Sequence, residues 1–433
     1  MHKIICYLHN KFFGIHPFSK EQTMRRKYLL ILSLALTISH VAVGQSLDFY
    51  LKKGLENSPL LKEFGNQLRS GALDSLLINA TFKPQINQVS QALYSPAGKN
   101  LGYDEAITNG GNYSALLNIM QPLFSKRLKA GQHQEILLSN QAIGVSEKIT
   151  ETDLKQGITA QYLSAFADYQ QFLFCQTILK LLREEQQILA SLVEKGVYLQ
   201  TDKMNLELSI TSQEIAVKQA WIQYKNSSGI LNFICGIAVA SASVPEVPLL
   251  AVKHDIDINS SPVMMKFKLD SLKNIHSKLM IDLNYRPKVS AFADAGWMAI
   301  TPENIPHNFG TSFGVNFSVP VYDGKQRKIL QDKTRLTESI RQDYQKFYTL
   351  QFQQHLDQLK EQLKLTDELI LGIKNQLSEQ EKLLLLYKAE IEKGLVRFLD
   401  FLTAVNNYRL TKNTLTVSEM NRLQIINQMN YLK

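Results

Sequence analysis

The chain has 433 residues, of which 45% are apolar, enough to bury extensive surface. Its formal charge of +9 invites a nucleic-acid reading, but residues 1–44 hold six Lys/Arg against a single acid, Glu21. The remaining 42 basic and 38 acidic residues are near balance and dispersed along the chain, which argues against nucleic-acid binding.

The N-terminus reads as an export signal. Met24-Arg25-Arg26-Lys27 is basic, Tyr28 to Val43 is apolar, and Ala42-Val43-Gly44 forms a small-residue cleavage site. The apolar run includes His40 and is shorter than the ~20 residues that span a bilayer. A cleaved signal is therefore expected over residues 1–44, with Met24 as an alternative start. The mature chain is expected to begin near Gln45, outside the cytoplasm.

From Leu47 to Ala80 the pattern is helical and ends at Lys83-Pro84, because the residue before a proline is pushed out of the α region. Residues 84–122 then hold two strand-like runs separated by a loop rich in Gly, Asn and Pro, the first of them (Gln85 to Tyr94) alternating poorly. A long stretch without proline follows, and it reverses at Lys195-Gly196. Glycine is the usual residue just past a helix C-terminus, and Thr201-Asp202 can cap the helix that returns, from about Asp202 to Phe233. Val244-Pro-Glu-Val-Pro248 and a polar linker close this first unit, assigned to residues 45–258.

Residues 259–433 repeat the order. A helix is predicted from Val263 to Leu283, a β-hairpin over 287–321, a second long helix, a reversal at Lys393-Gly394 and a return from about Phe398 to Leu432. The strand from Val289 to Trp297 has a small-residue face of Ala291, Ala293 and Ala295. In the last strand Phe313, Val315, Phe317 and Val319 alternate with Ser312, Gly314, Asn316 and Ser318, one oily face and one polar. Tyr94, Tyr103, Tyr113, Trp297 and Phe309 sit at strand ends, where an interfacial girdle would place them. Strands of about ten residues suit a tilted membrane-spanning β-strand, and Phe313, Val315, Phe317 and Val319 would face lipid. Four strands cannot close a barrel, so membrane strands would have to be pooled among subunits.

The two units are copies. Asn57-Ser58-Pro59 recurs as Ser260-Ser261-Pro262 and Phe82-Lys83-Pro84 as Tyr285-Arg286-Pro287, both 203 positions on. Gln121-Pro122-Leu123-Phe124 recurs as Val319-Pro320-Val321-Tyr322 and Glu194-Lys195-Gly196-Val197 as Glu392-Lys393-Gly394-Leu395, both 198 positions on. The change of offset falls in the loop between the hairpin strands, 94–112 in one copy and about 298–308 in the other. In the second long helix Phe352, Leu356, Leu359, Leu363, Thr366, Ile370, Ile373, Leu377, Gln380, Leu384, Tyr387 and Ile391 keep a heptad spacing, and the equivalent positions run from Leu154 to Val193. Such sustained patterning is a coiled-coil seam, about 105 Å long for about 70 residues. Tyr162 and Tyr169 fit seam packing.

No catalytic or cofactor motif emerges: the histidines are scattered, and no HExxH, GxGxxG, phosphate-loop or GxSxG pattern occurs. No enzyme activity, metal or cofactor is expected. Cys175 and Cys235 should lie about 17 Å apart along the helical hairpin and remain free thiols.

A signal peptide followed by two hairpins and two long helical hairpins in tandem resembles the TolC-like outer membrane efflux proteins. The more specific pieces are Val319-Pro-Val-Tyr-Asp-Gly324 and Gly394-Leu-Val-Arg-Phe-Leu-Asp400. The resemblance implies a mainly α protein with a membrane β-barrel, its four strands per subunit pooled into a homotrimeric twelve-stranded barrel above a periplasmic α-helical tunnel. It implies a passive exit duct in the outer membrane of a Gram-negative cell, part of a tripartite efflux or type I secretion system. The implied partners are a periplasmic adaptor, an inner-membrane transporter and outer-membrane lipid. Gly196, Val197, Gly394 and Leu395 would lie in tip turns that meet the adaptor, and Asp400 and Asp202 at the periplasmic constriction. A helix-capping role competes with that one at both aspartates, more strongly at Asp202. Some members carry a second acid where this chain has Thr403. The competing class is a periplasmic coiled-coil structural or adaptor protein, although an adaptor would carry one helical hairpin flanked by compact β domains.

Overall fold

The computed structural model describes residues 45–96, 102, 110–238, 244–253 and 256–433. The predicted signal segment and Tyr103 lie outside the described residues. In chain order the elements are α1 (Leu47–Asn57), α2 (Pro59–Thr81), β1 (Gln85–Tyr94), β2 (Gly111–Leu123), α3 (Lys126–Glu194), α4 (Gln200–Ile234), α5 (Pro262–Asn284), β3 (Lys288–Ala299), β4 (Phe309–Ser318), α6 (Gln326–Ile391) and α7 (Phe398–Asn430). Short 3-10 turns precede α5 and β4. Element starts repeat at the two offsets seen in the sequence: Pro59 and Pro262, Gln85 and Lys288, then Gly111 and Phe309, Gln200 and Phe398.

One expectation is corrected at the start of the first copy. The stretch from Leu47 to Ala80 is two helices, because Pro59 has no N–H to donate and Ser58 leaves the helical region. The Ser58 hydroxyl instead accepts from Leu61 N–H and starts α2. Ser261 does the same for α5, accepting from Val263 N–H. The predicted starts and ends of the returning helices shift by at most two residues, and β4 ends at Ser318, one residue before Val319.

The four strands form one antiparallel sheet in the order β1-β2-β3-β4. Its central ladder joins the two copies, with Leu123 opposite Val289 and Tyr113 opposite Ala299. β1 and β4 are edges, and every residue of β1 is exposed.

The rods are about 100 Å long at 1.5 Å per residue, with 69 residues in α3 and 66 in α6. Along α6 the predicted heptad is the burial pattern: Phe352, Leu356, Leu359, Ile370, Ile373, Leu377, Leu384 and Ile391 are buried against α7 or its surroundings, and their neighbours are exposed. Helix α3 does more. Besides the predicted stripe it buries Thr159, Tyr162, Leu163, Phe166, Ile178, Glu185 and Leu192, so a second flank of the same helix is covered. It packs on its own return α4 and also on α2, α5 and α7. Near the middle of the rods the Tyr162 hydroxyl lies 2.8 Å from the Glu246 carbonyl and 3.0 Å from that of Gln45, tying both loop segments to the helix. Tyr169 packs tilted against Tyr224, with ring centroids 5.1 Å apart. Both tyrosines are packing residues. Higher up, Arg341 and Asn274 hold the Glu338 carboxyl at about 2, which docks α6 on α5.

Cys175 and Cys235 are free and buried. Burial pushes both thiols up, that of Cys235 to about 11. At pH 8 neither is a thiolate to any useful extent, and only the thiolate is a nucleophile. Alkylation of the native protein at pH 8 should therefore leave both thiols intact, and unfolding should expose two. An intact mass two protons short, with no alkylation after unfolding, would reveal a bridge and break the helical register described here.

Candidate functional site: rod tips and sheet faces

Both rods reverse through the same hydrogen-bonded turn. Gly196 and Gly394 adopt positive φ, +73° and +70°, where an L side chain is disfavoured. The N–H of Val197 donates to Leu192 and that of Leu395 to Glu390, while Gly196 and Gly394 donate to Val193 and Ile391. These six-to-one and flanking bonds are a Schellman closure, which satisfies carbonyls left open at a helix end. Val197 and Leu395 emerge from it exposed, at 47% and 71%.

The two tips touch. Tyr198 donates its hydroxyl to the Val396 carbonyl at 2.8 Å and sets its ring edge-on to Phe398. Beneath them Leu189, Leu192 and Leu206 of the first copy share one core with Ile391, Phe398 and Phe401 of the second. A little higher, Lys388 reaches the nearly buried Glu185 across the same seam at 3.0 Å. An unpaired charge at such a site is costly, so this pair also holds the copies in register.

Asp202 and Asp400 occupy the first turns of α4 and α7. Asp202 accepts from the backbone N–H of Leu199 at 3.2 Å, so it closes the start of α4 from inside the helix, and Thr201 is not the cap. Asp400 takes a two-pronged contact from Arg397, Nε to one oxygen and Nη2 to the other, each 3.0 Å. Both partners are accessible, Arg397 at 83% and Asp400 at 37%. The sequence reading missed this pair, although Arg-x-x-Asp spacing at a helix start announces it.

The sheet has two unlike faces. Ile86, Leu117, Ile119, Ala293, Phe313, Val315 and Phe317 alternate onto one, with Trp297, Phe309, Tyr94 and Tyr113 at its outer end. Phe313 is 90% exposed, and Trp297 meets Phe309 edge-on. Gln88 and Ser90 interrupt this face in β1, as its poor alternation foretold. The opposite face mixes Val89, Leu116, Met120 and Phe292 with a polar row across all four strands: Asn87, Asn118, Asp294 and Ser312. Asn118 Nδ2 and the Ser312 hydroxyl both donate to Asp294, the one carboxylate in the four strands. Asp294 stands between Ala293 and Ala295 on the opposite face of β3, so the small-residue pattern of that strand does not announce it.

Among the described residues no three His, Cys, Asp or Glu side chains converge as a metal site requires. No described helix is long and apolar enough to cross a membrane.

No known family profile and no curated protein matches this sequence. Solved structures do. The chain is similar to CusC, whose crystal structures concern conformational changes accompanying folding and transmembrane channel formation, with 13% identity, TM-score 0.70 and 90% of this chain covering 92% of that one. It is similar to the outer membrane protein VceC of Vibrio cholerae at 12% identity and TM-score 0.71, over 89% and 95% of the two chains. The Neisseria gonorrhoeae MtrE outer membrane channel in its open state matches at 12% identity and TM-score 0.70, over 89% and 88%. The expected helical-tunnel and β-hairpin fold of the TolC-like proteins is thus shared across nine-tenths of the chain.

The tips differ in one testable respect. A Cβ on Gly196 would meet open space, whereas one on Gly394 would fall 2.5 Å from Val197 Cγ1. Gly196→Ala should cost about 1 kcal/mol from the left-handed backbone alone, and Gly394→Ala about 1–3 kcal/mol more from overpacking. Denaturant titration of the two variants checks this; equal losses would show that the Val197 side chain gives way to the added methyl.

Proposed function

We propose that this chain is one subunit of a homotrimeric outer-membrane channel that gives passive exit to substrates delivered by an inner-membrane pump through a periplasmic adaptor, in efflux or type I secretion. The observation that carries the reading is an open four-stranded sheet with an exposed apolar face, mounted on two rods in a fold shared with outer membrane channels. Lipid does not tolerate the unpaired backbone groups of β1 and β4, so the edges must be met by other copies. Three copies of four strands make a twelve-stranded barrel, wide enough to leave a channel.

The rods support a closed ring of copies as well. Met204, Leu208, Ile215 and Ile222 form an exposed stripe on α4, and Leu336, Ile340, Tyr344 and Phe347 form another on α6. Two different stripes on one subunit suit a head-to-tail contact, and such contacts close into rings. In this assembly Phe313, Val315, Phe317 and Val319 face lipid, and the Asp294 row faces the lumen. The duct performs no chemistry, and its energy comes from the pump.

At the periplasmic end, Gly196, Val197, Gly394 and Leu395 form the turns offered to the adaptor. Asp400, and more weakly Asp202, would narrow the pore with carboxylates. Arg397 changes what that ring can do, because it places a cation against each Asp400.

Outer-membrane fractions should contain a heat-modifiable species of trimer size, and recovery only from the soluble periplasm would refute the channel in favour of a periplasmic coiled-coil protein. In planar bilayers, Arg397→Ala should raise cation preference and block by divalent cations, whereas Asp400→Asn should lower both. If neither variant moves either quantity, Asp400 serves the helix start and not the pore.

A further inference from the structure

The rod-side end of the sheet is basic in a way that the fold itself does not explain. Lys83, Lys126, Arg127, Arg286, Lys325 and Lys328 are all exposed there, and none makes an ion pair or a side-chain hydrogen bond among the described residues. The two nearest carboxylates are already engaged. Asp282 is held by Arg327, and Asp323 accepts from the N–H groups of Lys325 and Arg327. Cations in the first turn of a helix oppose its macrodipole, yet Lys126 and Arg127 open α3, Lys328 lies in the first turn of α6, and neither first turn holds an acid. Asp323 sits on the N–H groups at the start of α6, but no acid serves the start of α3, which leaves Lys126 and Arg127 free for a countercharge from outside the chain.

Position and neighbours say where. Lys83, Lys126, Arg127 and Arg286 lie within four residues of the rod-side strand ends Gln85, Leu123 and Lys288, and Lys325 and Lys328 stand at the start of α6, which Arg327 ties to Asp282 at the end of α5. At the same level Phe124 and Tyr322, equivalent positions of the two copies, are 90% and 85% exposed, with Val321 at 94%. An aromatic ring held in the open beside unpaired cations is the pattern of a membrane interface, where rings enter the headgroup boundary and cations meet phosphate. At the opposite end, the described residues between β3 and β4 hold one acid, Glu303, and no Lys or Arg.

We propose that this collar is a docking surface for anionic phospholipid headgroups of the membrane leaflet on the rod side, with Lys126, Arg127, Lys325 and Lys328 binding phosphodiester and Phe124 and Tyr322 seated at the acyl boundary. The proposal rests on the barrel reading above and adds a lipid class to it. The collar fixes the height of the assembly in the bilayer and sets a preference for acidic lipid on one leaflet.

The test uses the full chain reconstituted in phosphatidylcholine vesicles with and without about 30 mol% phosphatidylglycerol. Lipid retained by the extracted protein is counted by native mass spectrometry. The wild type should retain phosphatidylglycerol over phosphatidylcholine by about fivefold or more, an enrichment that high salt lowers. The combined variant Lys126→Gln/Arg127→Gln/Lys325→Gln/Lys328→Gln should lose the enrichment while inserting normally, and exchanging Lys and Arg at these four positions should restore it. Insertion without preference in the wild type, or the same preference in the glutamine variant, overturns the collar alone. Failure of the wild type to insert in either vesicle overturns the barrel reading and the collar with it.

Discussion

Helix α3 is covered along two flanks, and that double burial places the rest of the chain. One flank takes the returning α4 and closes the first hairpin. The other takes α7 of the second copy, through Ile178 and Leu192 toward the tip and, near the middle, through the Ala160 and Gln156 carbonyls, which accept from Gln424 and Asn427. A helical hairpin with a single seam would be a free-standing rod whose hinge lies wherever its neighbours allow. Two seams on one helix convert two hairpins into a plate of fixed tilt. The Glu185–Lys388 pair and the Tyr198 hydroxyl bond then set the relative height of the copies to within a hydrogen-bond length.

Above the plate, the sheet inherits that alignment. Strands β2 and β3 come from different copies, so their ladder forms in register only if the helices below have already agreed on height. The polar row at Asp294 depends on this register, since Asn118 and Ser312 belong to strands on either side of it. A slip of one residue would turn Asp294 onto the Phe313 face. Tip, plate and sheet are thus three readouts of one alignment.

Much of this was legible in the sequence because duplication supplies a second reading of each signal. Heptad positions in α6, the paired tip glycines and the change of offset within the hairpin loop all survive in the structure. What stayed hidden has a physical reason in each case. The second flank of α3 interleaves with the first, so the two stripes together read as diffuse apolarity. Ser58-Pro59 was visible as a landmark of the repeat, but its power to break a helix shows only when the capping bond to Leu61 is seen. Arg397 and Asp400 were read as separate residues of a tip motif, and their mutual contact alters the charge that either presents. Asp294 lies on the face that the alternating alanines leave out, and one carboxylate in a short polar set carries no period of its own.

The cross-copy ladder also governs the order in which the chain can fold. Leu123 pairs with Val289 and Tyr113 with Ala299, partners 166 and 186 positions apart. Each hairpin closes over a far smaller separation, but this ladder must wait until the long helices between its strands have formed and doubled back. Contacts at such separation are slow to make, because the entropy of closing the chain is lost before the contacts return anything. In the interval two hairpins with bare edges and oily faces are present in the same chain, ready to pair with the wrong neighbour. The kinetics of the β2–β3 join therefore decide how long the nascent chain remains vulnerable, and a holding chaperone would have that interval in which to act.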